Sequence, residues 1–234
     1  GKDGAVLKST LPIRVSATLK GNGLPADLNK LGASGEVPLT EKGSWQPGNS
    51  GPALQTTGAA LELNDVANFE RDQPFSTSAW VKLNPNDSAG AIAARLDNVN
   101  KYRGWDFWVQ ARRVGTHIIN AWPDNALKVV AEPQVPGNKW THVAVTYDGT
   151  SKASGVKVYY DGKEQKTHVE ADKLSATTKT RVPFKLGQRN TTDILAGVTV
   201  QDLRIYQKAL TAAEVESLAK TPRFAALLAK PADQ

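Results

Sequence analysis

An all-β fold of antiparallel strands is what this 234-residue chain predicts, and three observations carry that expectation. First, residues 140–147 and 156–160 alternate apolar and polar side chains, the mark of strands with one buried and one wet face. Second, each of these runs ends in an Asp-Gly pair, Asp148-Gly149 and Asp161-Gly162, which supplies the positive φ of a tight reversal. Third, short apolar segments bounded by Gly, Pro, Asn and Asp recur along the chain with no βα alternation between them, which argues sandwich or barrel over any α/β fold.

Taken in order, candidate strands fall at 12–18, 59–63, 75–83, 90–96, 105–111, 115–121, 126–131, 140–147, 155–161, 163–170, 182–187 and 195–206. On 105–111, Trp105, Phe107 and Val109 are expected to share one face while Asp106, Trp108 and Gln110 share the other. Thr211 as N-cap, Glu214 three residues on, and the apolar pair Val215 and Leu218 signal one short helix. Residues 221–234 read as a tether, with one further apolar helical turn at 224–228. Residues 20–58, rich in Gly, Pro, Ser and Asn, read as a long excursion, with Val37 and Leu39 as an edge strand inside it. The expected domain is thus 1–220.

Composition narrows the function. Hydrophobic residues are 40% and charged residues 22%, which suits a globular chain with a real core, and no stretch of about 18 apolar residues exists to span a membrane as a helix. Cysteine is absent, excluding disulfides and thiolate metal sites. The net charge of +6 arises from 29 basic residues scattered among 23 acidic ones, without the run or basic helix that a nucleic-acid footprint needs. The start GKDGAVLKST carries no leader pattern and reads as a mature product or an excised segment. The three histidines, His117, His142 and His168, fall on separate strand candidates and form no metal set in sequence.

The order of motifs adds a resemblance. Trp-x-His-Val-Ala-Val-Thr-Tyr-Asp-Gly from Trp140, Val-Tyr-x-Asp-Gly from Val158, Leu186-Gly187, and Asp202-Leu203-Arg204-Ile205-Tyr206 followed by Ala209-Leu210-Thr211 and Glu214-Val215 resemble the LamG-like jelly roll. The likeness covers roughly residues 50–220. It implies a two-sheet antiparallel β-sandwich of the laminin-G/concanavalin A type, with the short helix near its C-terminus. Segment 95–125, with Arg-x-Asp, Tyr-Arg-Gly-Trp-Asp and His-Ile-Ile-Asn-x-Trp-Pro-Asp-Asn-Ala, resembles LamG-like domains within large planctomycete proteins that also carry cytochrome-c-like domains. That likeness implies an extracytoplasmic accessory module that binds sugar or protein.

This fold hosts glycosidases, whose retaining chemistry needs two carboxylates about 5 Å apart. No Glu-x-Asp-x-x-Glu strand run exists; Glu62-Leu63-Asn64-Asp65 is the nearest and lacks the middle Asp and the final Glu. No Gly-x-Ser-x-Gly, His-Glu-x-x-His, P-loop or dinucleotide fingerprint occurs either. Recognition is therefore expected rather than catalysis. Arg95, Asp97, Arg103, Trp105, Asp106, His117, Asn120, Trp122 and Asp124 are the candidate ligand-binding residues, because flat aromatic faces stack on sugar rings and Arg forks or short carboxylates fix hydroxyls. The rival is a docking domain that packs against neighbouring domains, and a weaker rival is a divergent glycan-active enzyme with carboxylates meeting across strands. The resemblance also implies one Ca²⁺ at the sandwich rim, for which Gln201 and Asp202 are the candidate ligands; the alternative is that Asp202 braces Arg204 or caps the following loop.

Overall fold

Fifteen strands and one helix make up the described part of the chain in a computed structural model, which describes residues 13–17, 43–49, 52–56, 61–63, 66–86 and 89–228. The strands are β1 (Ile13–Ala17), β2 (Gly43–Pro47), β3 (Pro52–Thr56), β4 (Leu61–Leu63), β5 (Phe75–Lys82), β6 (Gly90–Asp97), β7 (Arg103–Gln110) and β8 (Arg113–Ala121). They continue with β9 (Asn125–Ala131), β10 (Trp140–Tyr147), β11 (Val156–Tyr160), β12 (Lys163–Glu164), β13 (Thr167–Asp172), β14 (Phe184–Leu186) and β15 (Thr199–Tyr206), and the helix α1 is Ala212–Leu228.

These strands form two antiparallel sheets, and so the expected β-sandwich. The first runs β12-β11-β10-β5-β15-β3-β2, with β1 pairing the second half of β15; the other runs β13-β9-β8-β7-β6-β14-β4. Alternation decides the packing. Along β7, Trp105, Phe107 and Val109 enter the main core, while Asp106, Trp108 and Gln110 face outward, as the period predicts. Inward side chains of β5 (Phe75, Val81) and β10 (Val143, Val145) meet those of β8 and β9 (Ile118, Leu127, Val129) across the dry interior. Phe69, Phe75, Trp105 and Phe184 form an aromatic knot at its centre, with Phe69 and Phe75 stacked 4.7 Å apart.

Turn chemistry behaves as its residues dictate. Gly149 and Gly162 have φ of 84° and 82°, and Asp161 Oδ1 accepts the backbone N–H of His142 at 3.0 Å. Thr211 Oγ1 accepts from the Glu214 N–H while the Glu214 carboxylate accepts from the Thr211 N–H at 2.8 Å, which is the expected capping box. Val215 and Leu218 then seal a small cluster on the outside of the first sheet, against Ala144, Tyr159 and Tyr206.

Three expectations need revision. The excursion over 20–58 is not all loop: β2 and β3 lie within it, pairing in register from Gly43 with Thr56 to Pro47 with Pro52, and β3 extends β15. Prolines at these positions hid the strands, since Pro is tolerated only at strand ends and edges. The strand foreseen over 163–170 is two, because the chain leaves β11 at β12 and reappears in the opposite sheet as β13. The helix does not stop short of 221 but continues to Leu228 through Pro222. The edge strand foreseen at Val37 and Leu39 lies outside the described residues, as does the last part of the tether, 229–234.

At the open end of the second sheet, β13 is an edge strand with mostly exposed side chains, and a register shift breaks its pairing with β9 between Val169 and Ala171. Within the same sheet Gly104 has φ +131°, and a Cβ there would lie 2.0 Å from the Arg95 carbonyl oxygen. Only glycine allows β6 and β7 to approach this closely. Gly104→Ala is expected to destabilise the fold by about 2 kcal/mol or more, read as a shift of the urea midpoint.

Outside the first sheet, His142 is buried edge-on to Trp80 at 5.5 Å. Burial, aided by the nearby Arg204 charge, lowers its pKa from 6.5 to about 3. A base depressed in the fold takes up a proton on unfolding, so its contribution is complete above pH 6.5 and lost as pH falls below it. Denaturation between pH 6.5 and 4.5 should therefore show stability falling by up to about 1.4 kcal/mol per pH unit. His142→Phe should flatten that slope.

Candidate functional site

Outward residues of the second sheet build a small second cluster: Ala91, Ala94, Leu96, Trp108, Ile119 and Ala126, with Tyr102 packed against it. In the middle of this apolar patch stands Asp106, with 0% of its surface exposed. Its charge is met by two partners. His117, directly opposite on β8, donates its backbone N–H to Asp106 Oδ1 at 2.8 Å, and its ring Nδ1 lies 3.0 Å from the same oxygen. Arg189 reaches in from the β14–β15 loop and donates Nε and Nη2 to Asp106 Oδ2 at 2.9 and 2.6 Å. Its Nη1 donates to Asp193 at 3.1 Å. Burial alone would raise the Asp106 carboxyl, but the charges of His117 and Arg189 and the hydrogen bonds from His117 hold it down at about 2.

Aromatic rings close around this network. The Arg189 guanidinium lies over Trp108 at 4.2 Å and near the Tyr102 ring at 5.4 Å, a stacked geometry suited to a planar cation. His117 meets Trp108 and Trp122 edge-on at 5.2 and 5.5 Å. Lys128 Nζ sits 5.8 Å from the Trp122 ring and pairs with Glu170 at 2.6 Å; Glu170 also accepts from Gln110, which accepts from Trp108 Nε1. Together Tyr102, Trp108, His117, Ile119, Trp122, Lys128, Arg189 and Asp193 line a pocket of about 240 Å³. That is smaller than the range of about 300–1,000 Å³ usual for drug-sized ligands and suits a single ring.

A second, larger pocket of about 510 Å³ lies on the other side of the β6–β7 turn, lined by Asn68, Asp97, Asn100, Arg103, Lys179, Thr180 and Arg181. Asp97 Oδ1 accepts the Val99 and Asn100 N–H groups there, and Arg103 Nε donates to the Asn120 carbonyl at 3.3 Å.

The candidate ligand residues therefore divide. His117 and Trp122 line the smaller pocket; Asp97 and Arg103 line the larger. Asp106 supports the smaller from beneath. Trp105 and Arg95 belong to the interior instead. Trp105 is 1% exposed in the aromatic knot, with Nε1 donating to the Ala67 carbonyl. Arg95 is buried and donates to the Val66 and Thr180 carbonyls, pinning two loops to the sheet. Neither lines either pocket. Asn120 ties down the segment before β14 through the Thr177 carbonyl, and Asp124 faces solvent in the β8–β9 turn, outside both pockets. Sequence reasoning missed Arg189, Asp193 and Lys128; a lone Arg in the turn-rich stretch LGQRNTTD gives no local signal of where it folds.

The proposed calcium ligands do not fit a metal. Asp202 occupies the register shift of β15 with φ 52°, and its two oxygens accept from Arg204 at 2.8 and 2.6 Å. Gln201 Oε1 accepts from the Asn49 N–H. Among the described residues no group of three or more His, Asp or Glu side chains comes together as a metal set.

Residues 55–216 match the sequence profile of the concanavalin A-like lectin/glucanases superfamily, in its laminin-G-type branch. No curated protein matches the chain in sequence. Solved structures of like fold include the binding domain of Paraclostridial Mosquitocidal Protein 1, at 16% identity and TM-score 0.66, covering 90% of this chain and 52% of that one. Another is the CBM40 of the Ruminococcus gnavus IT-sialidase bound to alpha2,3 sialyllactose, at 16% identity and TM-score 0.52, covering 70% and 98%. A third is the Trypanosoma rangeli sialidase, at 14% identity and TM-score 0.59, covering 90% and 32%. This chain thus spans about half of the first structure and a third of the last, and at such identities the likeness is one of fold.

Replacing Arg189 by Met would keep the bulk but leave Asp106 with His117 alone. Breaking one side of a buried ion pair typically costs about 3–5 kcal/mol. Arg189→Met should lower stability in urea by about 3 kcal/mol. It should also reduce the contribution of Asp106 that the native protein holds above pH 3.8 and loses as pH falls toward 2, His117 supplying what remains.

Proposed function

The chain belongs to the concanavalin A-like lectin/glucanases superfamily, and on that premise we propose that it is a non-catalytic recognition module whose ligand is a carbohydrate. The observation that carries this reading is the smaller pocket, where three aromatic rings, Tyr102, Trp108 and Trp122, stand around polar groups already fixed by one another. Sugars present an apolar CH face and a hydroxyl rim, and such a pocket meets both. Trp122, 37% exposed, is the ring offered to a ligand; Lys128, His117 and Asp193 are placed for its hydroxyls.

Hydrolysis is disfavoured by the same geometry. A general acid needs a carboxyl held protonated near neutral pH, and glycosidases keep a second carboxylate about 5 Å or more away. Here Asp106 and Asp193 are both bound to one guanidinium, and Asp106 is depressed to about 2 rather than raised. The module is read as part of a larger extracytoplasmic protein, on the support of the planctomycete likeness of residues 95–125. No helix of the described residues is long and apolar enough to cross a membrane.

Glycan-array screening followed by calorimetry on the best neutral oligosaccharide tests the assignment. Trp122→Ala should weaken binding at least tenfold, with the melting temperature checking that the fold survives loss of a partly covered ring. Undiminished binding in that variant, or no glycan binding by the native protein, would favour the docking reading instead.

A further inference from the structure

The larger pocket differs from its neighbour in charge. Three cations, Arg103, Lys179 and Arg181, line it against one carboxylate, Asp97, which leaves two net positive charges in a space of about 510 Å³. Several basic side chains elsewhere are closed into ion pairs: Lys128 with Glu170, Lys157 with Glu164, Lys185 with Glu62, Lys208 with Glu214. Among the described residues neither Arg103, Lys179 nor Arg181 forms such a pair within 4 Å. Lys179 comes near the Glu70 charge, but the Glu70 oxygens accept from Thr177, Thr178 and Arg71. Arg103 spends Nε on the Asn120 carbonyl, which orients the guanidinium and leaves its outer nitrogens for another partner.

The walls fix the backbone that carries these cations. Asn68 exchanges two hydrogen bonds with the backbone of Thr180, fixing the Lys179–Arg181 segment against the chain before β5. Buried Arg95 ties the same Thr180 carbonyl and Val66 from behind. Asp97 caps the β6–β7 turn that divides the two pockets, with Tyr102 lining one side and Arg103, next in sequence, lining the other. Positioned guanidinium groups with a preformed scaffold are the usual means of taking a planar or tetrahedral oxyanion.

We propose that this pocket is a subsite for an anionic substituent, a carboxylate or a sulfate, on a sugar of the bound polysaccharide. Arg103 and Arg181 take the anion in forked hydrogen bonds, Lys179 adds a point charge, and Asp97 with Asn100 meets hydroxyls on the same ring. The word sugar rests on the recognition reading above; the anion chemistry does not.

Calorimetric titration with oligogalacturonate, dextran sulfate and neutral dextran, on the native protein and on K179Q/R181Q, separates the possibilities. Both substituted residues are exposed, so the fold is expected to survive, and the melting temperature checks it. At least one acidic polymer should bind at least tenfold more tightly than dextran, with an affinity that falls as salt rises, and which of the two binds identifies the anion as carboxylate or sulfate. K179Q/R181Q should lose at least tenfold toward that polymer and be unchanged toward dextran. R103K, which keeps the charge but not the fork, should lose part of the affinity. If the native protein prefers dextran, or if K179Q/R181Q binds the acidic polymer as the native protein does, the subsite is refuted, whatever becomes of Trp122. If Trp122→Ala leaves every polymer's affinity intact while K179Q/R181Q lowers that of the acidic one, the anion pocket stands and the aromatic recognition surface falls.

Discussion

One buried ion pair organises the outer face of the second sheet. Asp106 lies in mid-strand among Ala, Leu and Ile side chains, where an unpartnered carboxylate would cost several kcal/mol. The partner that makes its burial tolerable comes from 83 residues away in sequence. To satisfy Asp106 the β14–β15 loop must fold down over β6 and β7. Once there, Arg189 completes the wall of a pocket and stacks on the Trp108 indole. The pocket is therefore a by-product of neutralising one charge.

The arrangement also explains why the site suits binding. Its polar groups are already joined to one another, Arg189 to Asp106 and Asp193, Lys128 to Glu170, Gln110 to Trp108. A ligand meets donors and acceptors whose directions are set, so little ordering remains to be done on association. The cost is carried by the folded state, since buried ion pairs add less to stability than well-packed apolar groups of like volume.

The sheets were legible in the sequence because a two-residue period along β7, β8 and β10 leaves no other way to bury Trp105, Phe107, Ile118 and Val145 together. Boundaries came within a few residues where Asp-Gly or Pro-Gly turns punctuated the chain, as at Pro136-Gly137 before β10. β2 and β3 were not legible: Gly43–Pro47 and Pro52–Thr56 begin or end in residues that argue against strands, and the pairing of β3 with β15 is fixed by tertiary context. The cluster over 95–125 was visible as a density of aromatic and charged residues, yet density alone could not say that Trp105 points inward and Trp122 outward at the end of β8. Arg189, Lys179 and Arg181 come from distant loops, and proximity created by folding leaves no trace in local pattern.

The irregular pairing of β13 bears on how the sheet ends at that edge. A flat outermost ribbon would offer its free amides and carbonyls to any neighbouring chain and invite intermolecular β-stacking. The shift between Val169 and Ala171, together with Glu170 and Asp172 on the same ribbon, bends and charges that border. This border is thus ill-matched to a straight incoming strand, and the sheet ends there.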